Sequence, residues 1–296
     1  MKKTVTHLGA DVGRTSVKLI ARTADSGRLK WSLPSREVNW GSESDILNAV
    51  REWESELGTS LSSNAKIGIS GTGALAFERK FTHQSRVIQL VSDLTTSALS
   101  CDIRNTGLVL IAGTGGSSLI LKRGEKEVRK SYGPVIGDLW GGLYLGRLAG
   151  RHLLDIWSAG ERLSSYERAL AEHLNVSHRS EFLLLLQNDP GIFKKLASLG
   201  RITIEFTEKG HLKAEEILNS MLNNVMNEIQ SAYDLIQPAG ELPIGLQGSI
   251  LIESDWIQGE LTRRLHRADI PAAMRLAKRP LELVMLQEVM NMKTKS

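Results

Sequence analysis

A chain of 296 residues, 41% apolar and 24% charged, has a globular composition and is long enough for two domains with separate cores. Its apolar runs fall short of the ~20 residues that span a bilayer, and polar residues interrupt the segment after Lys2 and Lys3, so neither a membrane span nor a signal peptide is expected. The single cysteine, Cys101, excludes an internal disulfide and an all-cysteine metal or iron–sulfur site within one chain. A formal net charge of +4, without aromatic residues among the basic clusters, does not favour nucleic acid as a partner, and cytoplasm is the expected location.

The first half of the chain predicts strands followed by a helix, twice over. Apolar residues at helical spacing, Ile46, Val50 and Trp53, predict a helix after the first strands. The predicted elements are strands at 6–12, 16–20 and near 30–40, a helix at 42–57, a serine-rich loop at 59–64, a buried strand at 66–70, and a strand end that runs into a helix at 87–100.

The second half begins with another strand pair and is richer in helices. The predicted elements are a hairpin at 108–121, helices at 139–157, 164–174, 181–187 and 213–236, a strand at 243–247, and helices at 254–267 and 281–292. Because hairpins followed by alternating strands and helices occur twice, the sequence predicts a mixed α/β protein of two similar halves.

Two turns rich in glycine and hydroxyl residues join predicted strands, at residues 11–16 and 113–118. Glycine adopts φ angles above zero that point successive amides the same way, so such turns can bind an anion, while a carboxylate such as Asp11 suits hydrated Mg²⁺. The second turn lacks the ending of a Walker loop, and a strand follows it, which excludes the dinucleotide fingerprint. The pair predicts two halves that bind one polyphosphate, although the first turn alone also fits an ordinary hairpin, whereas the second has more small residues than a tight turn needs.

Three further segments carry candidate ligand contacts, each with a simpler structural alternative. Asp93 stands at the start of a predicted helix, where an aspartate commonly serves as the N-cap. Residues 133–147 are rich in glycine and suit close backbone approach to a ligand, although Asp138 could equally be an N-cap. Residues 245–250 fit either a turn against the face of a nucleobase or a simple connection from strand to helix.

Taken in order, these segments resemble the N-acetylglucosamine kinase family, which belongs to the superfamily of actin, sugar kinases and heat-shock chaperones. The resemblance runs from about Leu8 to the glycine turn at Gly248. It implies an α/β protein of two ribonuclease H-like domains with an interdomain cleft, the actin-like ATPase fold. The expected domains are 1–106 and 107–296, the second with a helical insertion and with a C-terminal helix that could pack back on the first.

The resemblance also implies roles for individual residues. Asp93 falls where the family has its catalytic aspartate, and Asp11 would steer the Mg²⁺ carried by ATP. The implied ATP and phosphate contacts are Asp11, Gly13, Arg14, Thr15, Ser16, Lys18, Gly113, Thr114, Gly115, Gly248 and Ser249. The implied sugar contacts are Asn39, Trp40, Thr114, Gly115, Ser117 and Asp138. The implied ligands are ATP, Mg²⁺ and a small sugar, and a homodimer is expected because dimers are the commonest closed assembly.

Three segments depart from the family's pattern. A cationic Arg14 either adds a phosphate contact or crowds the first turn, and the changes after Asp138 alter the sugar pocket. The departures are Val12 and Arg14 in the first turn, Leu139 and Trp140 after Asp138, and Glu282 and Leu283 after Pro280.

Three functions compete for this sequence. The favoured one is ATP-dependent phosphorylation of a hydroxyl of an amino sugar, N-acetylglucosamine or a related hexose, with Asp93 as the general base. A non-catalytic nucleotide- or sugar-binding regulator would explain the departures, but the three matched aspartates are all present. An activator-type ATPase of 2-hydroxyacyl-CoA dehydratases is similar in fold, but its iron–sulfur cluster takes two cysteines from each subunit, and this chain has only Cys101.

Overall fold

The computed structural model describes residues 3–13, 16–36, 38–71 and 75–292. The chain divides into two compact units, one formed by Met1–Asp102 together with Ala277–Ser296 and the other by Ile103–Leu276. The first division lies close to the expected domain boundary at 106. The C-terminal segment, for which the sequence left open a helix packed back on the first domain, belongs to the first unit.

The first unit is built on one mixed sheet. Its strands are β1 (Thr4–Val12), β2 (Ser16–Thr23), β3 (Arg28–Pro34), β4 (Ser60–Ser70), β5 (Arg79–His83) and β6 (Arg86–Val91), and its helices are α1 (Glu43–Glu56), α2 (Asp93–Ser100) and α11 (Leu281–Met290). Within the described ranges the strand order is β3-β2-β1-β4-β6-β5. Because β1, β4 and β6 are parallel neighbours, their carboxyl ends lie at the same edge of the sheet.

Two glycines let α11 lie directly on this sheet. Gly9 of β1 and Gly68 of β4 are register partners, so they leave an area without side chains. A Cβ atom on Gly9 would overlap the carbonyl oxygen of Glu282 and lie 2.6 Å from the nitrogen of Leu286. One on Gly68 would lie 2.8 Å from the carbonyl oxygen of Met285. The helix backbone therefore contacts the sheet closely, and a segment distant in sequence completes the first unit.

The second unit combines a smaller sheet with most of the helices. Its strands are β7 (Gly107–Ala112), β8 (Gly116–Lys122), β9 (Glu125–Arg129), β10 (Leu242–Gln247) and β11 (Ala272–Leu276). Its helices are α3 (Gly133–Ile136), α4 (Gly142–Ala159), α5 (Ser165–Leu174), α6 (Arg179–Asn188), α7 (Ile192–Glu208), α8 (Leu212–Ile236), α9 (Ser249–Ile252) and α10 (Asp255–Arg267).

The two sheets follow one plan. In the second unit the described strands run in the order β9-β8-β7-β10-β11, with β7 antiparallel to β8 and parallel to β10. The first sheet has the same order and directions in β3-β2-β1-β4-β6. This repeat confirms the prediction of a mixed α/β protein with two similar halves.

Close helix packing builds the rest of the second unit. A Cβ atom on Gly146 of α4 would overlap the backbone of Leu196 in α7, so the two helices contact each other at their backbones. Tyr166, Phe182 and Met221 are fully buried in the same core. Each helix in the described part of the chain is too short or too polar to cross a bilayer.

Most predicted elements are confirmed, with their ends moved by a few residues. The prediction of a loop at 59–64 is wrong, because Ser60 and Leu61 pair with β1 and extend β4 towards its start. Strands β5, β9 and β11 and helix α7 were missed. The helix predicted at 139–157 begins instead at Gly142, after a glycine with a φ of 97°.

Candidate active site

Two acidic side chains lie at one edge of the first sheet. Asp11 is the next-to-last residue of β1, and Asp93 follows β6 as the first residue of α2. Between these strands β4 ends at Ser70, whose register partners are Asp11 and Val91. The charge of Asp93 is near enough to contribute to the raised pKa of Asp11. Polar groups are thus gathered at the carboxyl ends of parallel strands, where ligands of α/β sheets commonly bind.

The environment of Asp11 opposes its charge. Burial is the main cause that raises the pKa of Asp11, to about 6. Repulsion from the buried carboxyl of Glu282 in α11 adds to this effect, whereas Lys18, its register partner on β2, lowers the pKa. Ionisation of Asp11 therefore lowers the stability of the folded protein unless a cation neutralises the charge.

We expect Asp11→Asn to stabilise the protein well above pH 6 and to have little effect near pH 4. With a folded-state pKa of about 6 against an ordinary 3.8, the folded protein binds this proton more tightly than the unfolded chain. The resulting stability is present at low pH and is lost as the pH rises through 6, a loss of about 3 kcal/mol. Thermal unfolding at pH 4 and pH 8 with a chelator measures it, and a variant with a lower Tm than wild type at pH 8 would contradict the expectation.

Ser92 fixes the start of α2 and thereby positions Asp93. Its Oγ accepts a hydrogen bond from the Thr95 N–H at 3.1 Å and donates one to Glu78 Oε1 at 2.7 Å. The Ser92 N–H donates to the same oxygen at 3.0 Å. Asp93 Oδ1 accepts a hydrogen bond from the Leu94 N–H at 2.9 Å. The interpretation of Asp93 as an N-cap is therefore wrong, because Ser92 occupies that position.

A cavity of about 900 Å³ that is open to solvent lies on the first unit. Gly13 of the first hairpin and Gly71, directly after β4, contribute to its lining. The predicted sugar contacts Asn39 and Trp40 line it as well. Asn39 Oδ1 accepts a hydrogen bond from the Gly41 N–H at 3.1 Å, and its NH₂ group is a donor. A predicted phosphate turn and predicted sugar contacts thus share one cavity.

The start of helix α4 donates hydrogen bonds to carbonyl groups of the second hairpin. The Gly142 N–H donates to the Gly113 oxygen at 2.8 Å, and the Leu143 N–H donates to the Thr114 oxygen at 2.8 Å. Within the turn, the Gly113 N–H donates to the Gly115 oxygen at 3.0 Å. Across the described ranges, the N–H groups of Thr114 and Gly115 have no protein acceptor. The turn can therefore offer amides to a ligand, as anion binding requires.

Asp138 ties the glycine-rich segment to this hairpin. Its Oδ1 accepts hydrogen bonds from the N–H groups of Tyr132 and Gly133, at 2.9 and 2.7 Å. Its Oδ2 accepts one from the Gly116 N–H at 2.9 Å. The alternative role as an N-cap is wrong, because α4 is capped by Gly141. A sugar hydroxyl would have to use the acceptor capacity that these three bonds leave.

We expect Asp138→Ala to lower the free energy of unfolding by about 2 kcal/mol, since three backbone N–H groups lose a charged acceptor. Asp138→Asn keeps one acceptor oxygen and should lose less. Urea unfolding of the two variants beside wild type measures both effects. If Asp138→Ala unfolds at the wild-type urea concentration, these bonds do not hold the segment.

Trp140, one of the departures from the family's pattern, is a core residue. It is fully buried, and its Nε1–H donates to the Ile111 oxygen at 2.9 Å. A Cβ atom on Gly116 would overlap its ring, so the tryptophan packs directly under the hairpin. Leu139 packs against the same core, and Ser117 pairs with Ile111 on the neighbouring strand. Packing therefore accounts for both changes after Asp138.

The predicted adenosine turn lies against the second hairpin. Strands β7 and β10 are parallel neighbours that end at Ala112 and Gln247. Gly248 follows with a φ of 90°, and a Cβ atom there would overlap the Ala112 oxygen and lie 2.9 Å from the Gly113 nitrogen. Ser249 then begins the short helix α9. Two segments predicted to bind the same nucleotide are thus adjacent in the second unit.

By sequence, no family model and no curated protein matches the chain. By structure it is similar to a protein of Chromobacterium violaceum assigned provisionally as an N-acetylglucosamine kinase, with a TM-score of 0.69, 16% identity and coverage of 96% of this chain and 98% of that one. A Porphyromonas gingivalis protein with the same provisional assignment gives a TM-score of 0.65 at 14% identity, covering 96% and 99%. A ROK family glucokinase from Streptomyces griseus, in complex with glucose and AMPPNP, gives 0.54 at 13% identity, covering 96% and 97%. The chain has a sugar-kinase fold.

Within this sugar-kinase fold the predicted site residues form two groups. In the first unit, the Gly13 N–H closes the hairpin by donating to the Ser16 oxygen at 2.9 Å. The first-unit group comprises Asp11, Gly13, Ser16, Lys18, Asn39, Trp40 and Asp93. The second-unit group comprises Gly113, Thr114, Gly115, Ser117, Asp138, Gly248 and Ser249. Arg14 and Thr15 lie outside the described residues.

Two carboxylates near the site were not predicted from the sequence. Glu282 reaches the surroundings of Asp11 from α11, and Glu78 holds the start of α2 through Ser92. The only signal for Glu282 was its place after Pro280 as a departure from the family's pattern. Among the residues that the structure covers, no group of three or more His, Cys, Asp and Glu side chains is arranged to hold a metal ion.

Proposed function

We propose that the protein transfers the terminal phosphoryl group of ATP to a hydroxyl of an amino sugar, N-acetylglucosamine or a related hexose. The observation that carries the proposal is the pair of carboxylates, Asp11 and Asp93, at the carboxyl ends of parallel strands in a sugar-kinase fold. The names of the similar structures, two N-acetylglucosamine kinases by provisional assignment and a glucokinase with glucose and AMPPNP, support the class of substrate and the nucleotide.

Asp93 is the general base of the proposed reaction. It would accept the proton of the attacking sugar hydroxyl, a role that needs a carboxylate within hydrogen-bond reach of that hydroxyl. The hydrogen bonds of Ser92 to Glu78 and Thr95 fix the helix start from which Asp93 projects. These hydrogen bonds hold the backbone that carries the Asp93 carboxylate in one position, and a general base must be so held to align with a reacting hydroxyl.

The second hairpin is the proposed phosphate site. The N–H groups of Thr114 and Gly115 suit phosphate oxygens, and in the described structure a Cβ atom on Gly113 would meet open space. Gly248 and Ser249 stand beside this turn and would contact the nucleoside. Phosphoryl transfer depends mainly on alignment and charge neutralisation, which rows of amides provide.

The residues present fit Mg²⁺ that is carried by ATP. Mg²⁺ keeps several waters and is held by one or two carboxylates together with phosphate oxygens. Asp11 would supply a carboxylate, and because burial raises its pKa, a cation there would stabilise the ionised form. When bound, the ion neutralises charge on the transferred group.

Three finer predictions complete the proposal. Each unit is a ribonuclease H-like domain, which the strand order shared by the two sheets supports. The protein forms a homodimer and acts in the cytoplasm. Because packing under the hairpin accounts for Leu139 and Trp140, these changes do not favour a regulator without catalysis.

A coupled assay of ADP release tests the proposal over N-acetylglucosamine, N-acetylmannosamine, glucosamine and glucose. We expect release that depends on an amino sugar, with the phosphorylated sugar identified by mass spectrometry. ADP release that is independent of every sugar would support an ATPase instead. ATP binding without turnover of any sugar would support a regulator.

A further inference from the structure

We propose that the cavity of the first unit contains a second subsite, formed by helix α1, that holds a second sugar ring linked to the phosphorylated one. This inference rests on the proposed kinase function and extends its substrate class from monosaccharides to disaccharides. It begins from the lining of the cavity, which includes α1 residues in addition to Gly13, Asn39 and Gly71.

Helix α1 presents a polar stripe to the cavity. Asp45, Asn48 and Glu52 recur at helical spacing, so they share one face, and all three line the cavity. The other face, which includes Ile46 and Trp53, packs into the core of the first unit. The carboxylates accept hydrogen bonds from sugar hydroxyls and the Asn48 amide can both accept and donate, so the stripe has the chemistry of a sugar-binding surface.

The size of the cavity exceeds the need of one ring. Its volume is about 900 Å³. Even if each non-hydrogen atom took the roughly 30 Å³ that a water molecule occupies in the liquid, a hexose of about a dozen such atoms would fill less than half of this volume, and N-acetylglucosamine, with about fifteen, would fill about half. A monosaccharide held at Asn39 and Trp40 would therefore leave the part along α1 to water or to a second ring.

The charge of this part of the lining favours an uncharged ring. Arg36 also lines the cavity, but its NH1 group donates to Glu52 Oε2 at 3.0 Å and its NH2 group donates to Glu56 Oε1 at 3.1 Å. An anionic substituent would compete with both carboxylates for this guanidinium and would also meet Asp45. Hydroxyl groups can instead use the remaining donors of Arg36 and the free acceptor capacity of the carboxylates without breaking the ion pairs.

Steady-state kinetics with ATP test the second subsite. We expect kcat/KM for disaccharides that contain the phosphorylated amino sugar, at the reducing or the non-reducing end, to equal or exceed kcat/KM for that amino sugar alone for at least one linkage. The ratio of the two values should fall about tenfold in Asn48→Ala, the effect of one lost hydrogen bond, and should also fall in Glu52→Gln, which replaces a charged acceptor by a weaker neutral one. Glu43→Gln, at an exposed position of α1 outside the lining, is the matched control and should keep the wild-type ratio.

Each outcome separates the inference from the function on which it rests. Phosphorylation of the monosaccharide alone would overturn the second subsite and leave the kinase function standing. An unchanged ratio in both α1 variants, with wild-type Tm values as evidence of folding, would also overturn it. Phosphorylation of neither sugar class would contradict the kinase function itself.

Discussion

Asp93→Asn should lower kcat about a thousandfold, the loss expected when a general base is removed, while ATP still binds. Asparagine keeps the size of the side chain and can still accept the hydrogen bond from the Leu94 N–H, so the helix start should persist. It cannot accept the proton of the attacking hydroxyl. The coupled assay measures kcat, and calorimetric titration with ATP measures the Kd of the nucleotide.

Asp155→Asn is the control for this substitution. Asp155 is exposed in the C-terminal half of α4, so the same chemical change is made there at a position outside the candidate site. Its kcat should stay within about twofold of wild type, the usual range for an exposed substitution. Near-normal turnover of Asp93→Asn would remove Asp93 from the role of base. Equal losses of turnover and of ATP affinity would assign it to nucleotide binding instead.

Gly9→Ala should lower the free energy of unfolding by about 3 kcal/mol, because the added methyl group has no room. It would overlap the carbonyl oxygen of Glu282 and lie against the backbone of Leu286, and neither can rotate away as a flexible side chain could. Helix α11 would have to lift from β1. Since Glu282 adjoins Asp11, we also expect lower activity. Urea unfolding and the coupled assay measure the two effects.

Gly259→Ala makes the same chemical change at a position with the opposite expectation. Gly259 lies inside α10, and in the described structure a Cβ atom there would meet no other atom within 4 Å. Alanine should therefore stabilise the protein by about 0.5–1 kcal/mol through its higher helix propensity. If Gly9→Ala is as stable as wild type, the close contact between α11 and the sheet does not exist in solution.

Local pattern was enough to predict the parts of the site that lie on hairpins and helix starts. An apolar run on each side of a glycine and hydroxyl turn predicts the pairs β1–β2 and β7–β8, and both are confirmed. Polar residues directly before a segment of helical pattern predict the start of α2 to within a residue. This prediction placed Asp93 correctly at the first turn of that helix. Roles of individual residues in binding and catalysis stay predictions.

Contacts between distant segments could not be predicted. Strand β9, Glu125–Arg129, is mostly charged and shows no alternation of apolar and polar residues. It forms a strand because it pairs with β8, which the local sequence does not reveal. The three hydrogen bonds that Asp138 accepts from backbone N–H groups depend on how its loop folds back. The local sequence would be the same if Asp138 were a helix N-cap, so it could not distinguish the two roles. Glu282 reaches Asp11 only because two glycines on neighbouring strands admit α11.

The placement of α11 has a consequence for the order in which the chain can fold during its synthesis. Ile103–Leu276 is continuous, so the second unit can be completed while the last segment is still inside the ribosome. The first unit cannot, because the area around Gly9 and Gly68 stays uncovered until α11 emerges. Until then the nascent chain would expose a sheet surface open to chaperones or to aggregation. The half of the protein that is made first would be the half that is finished last.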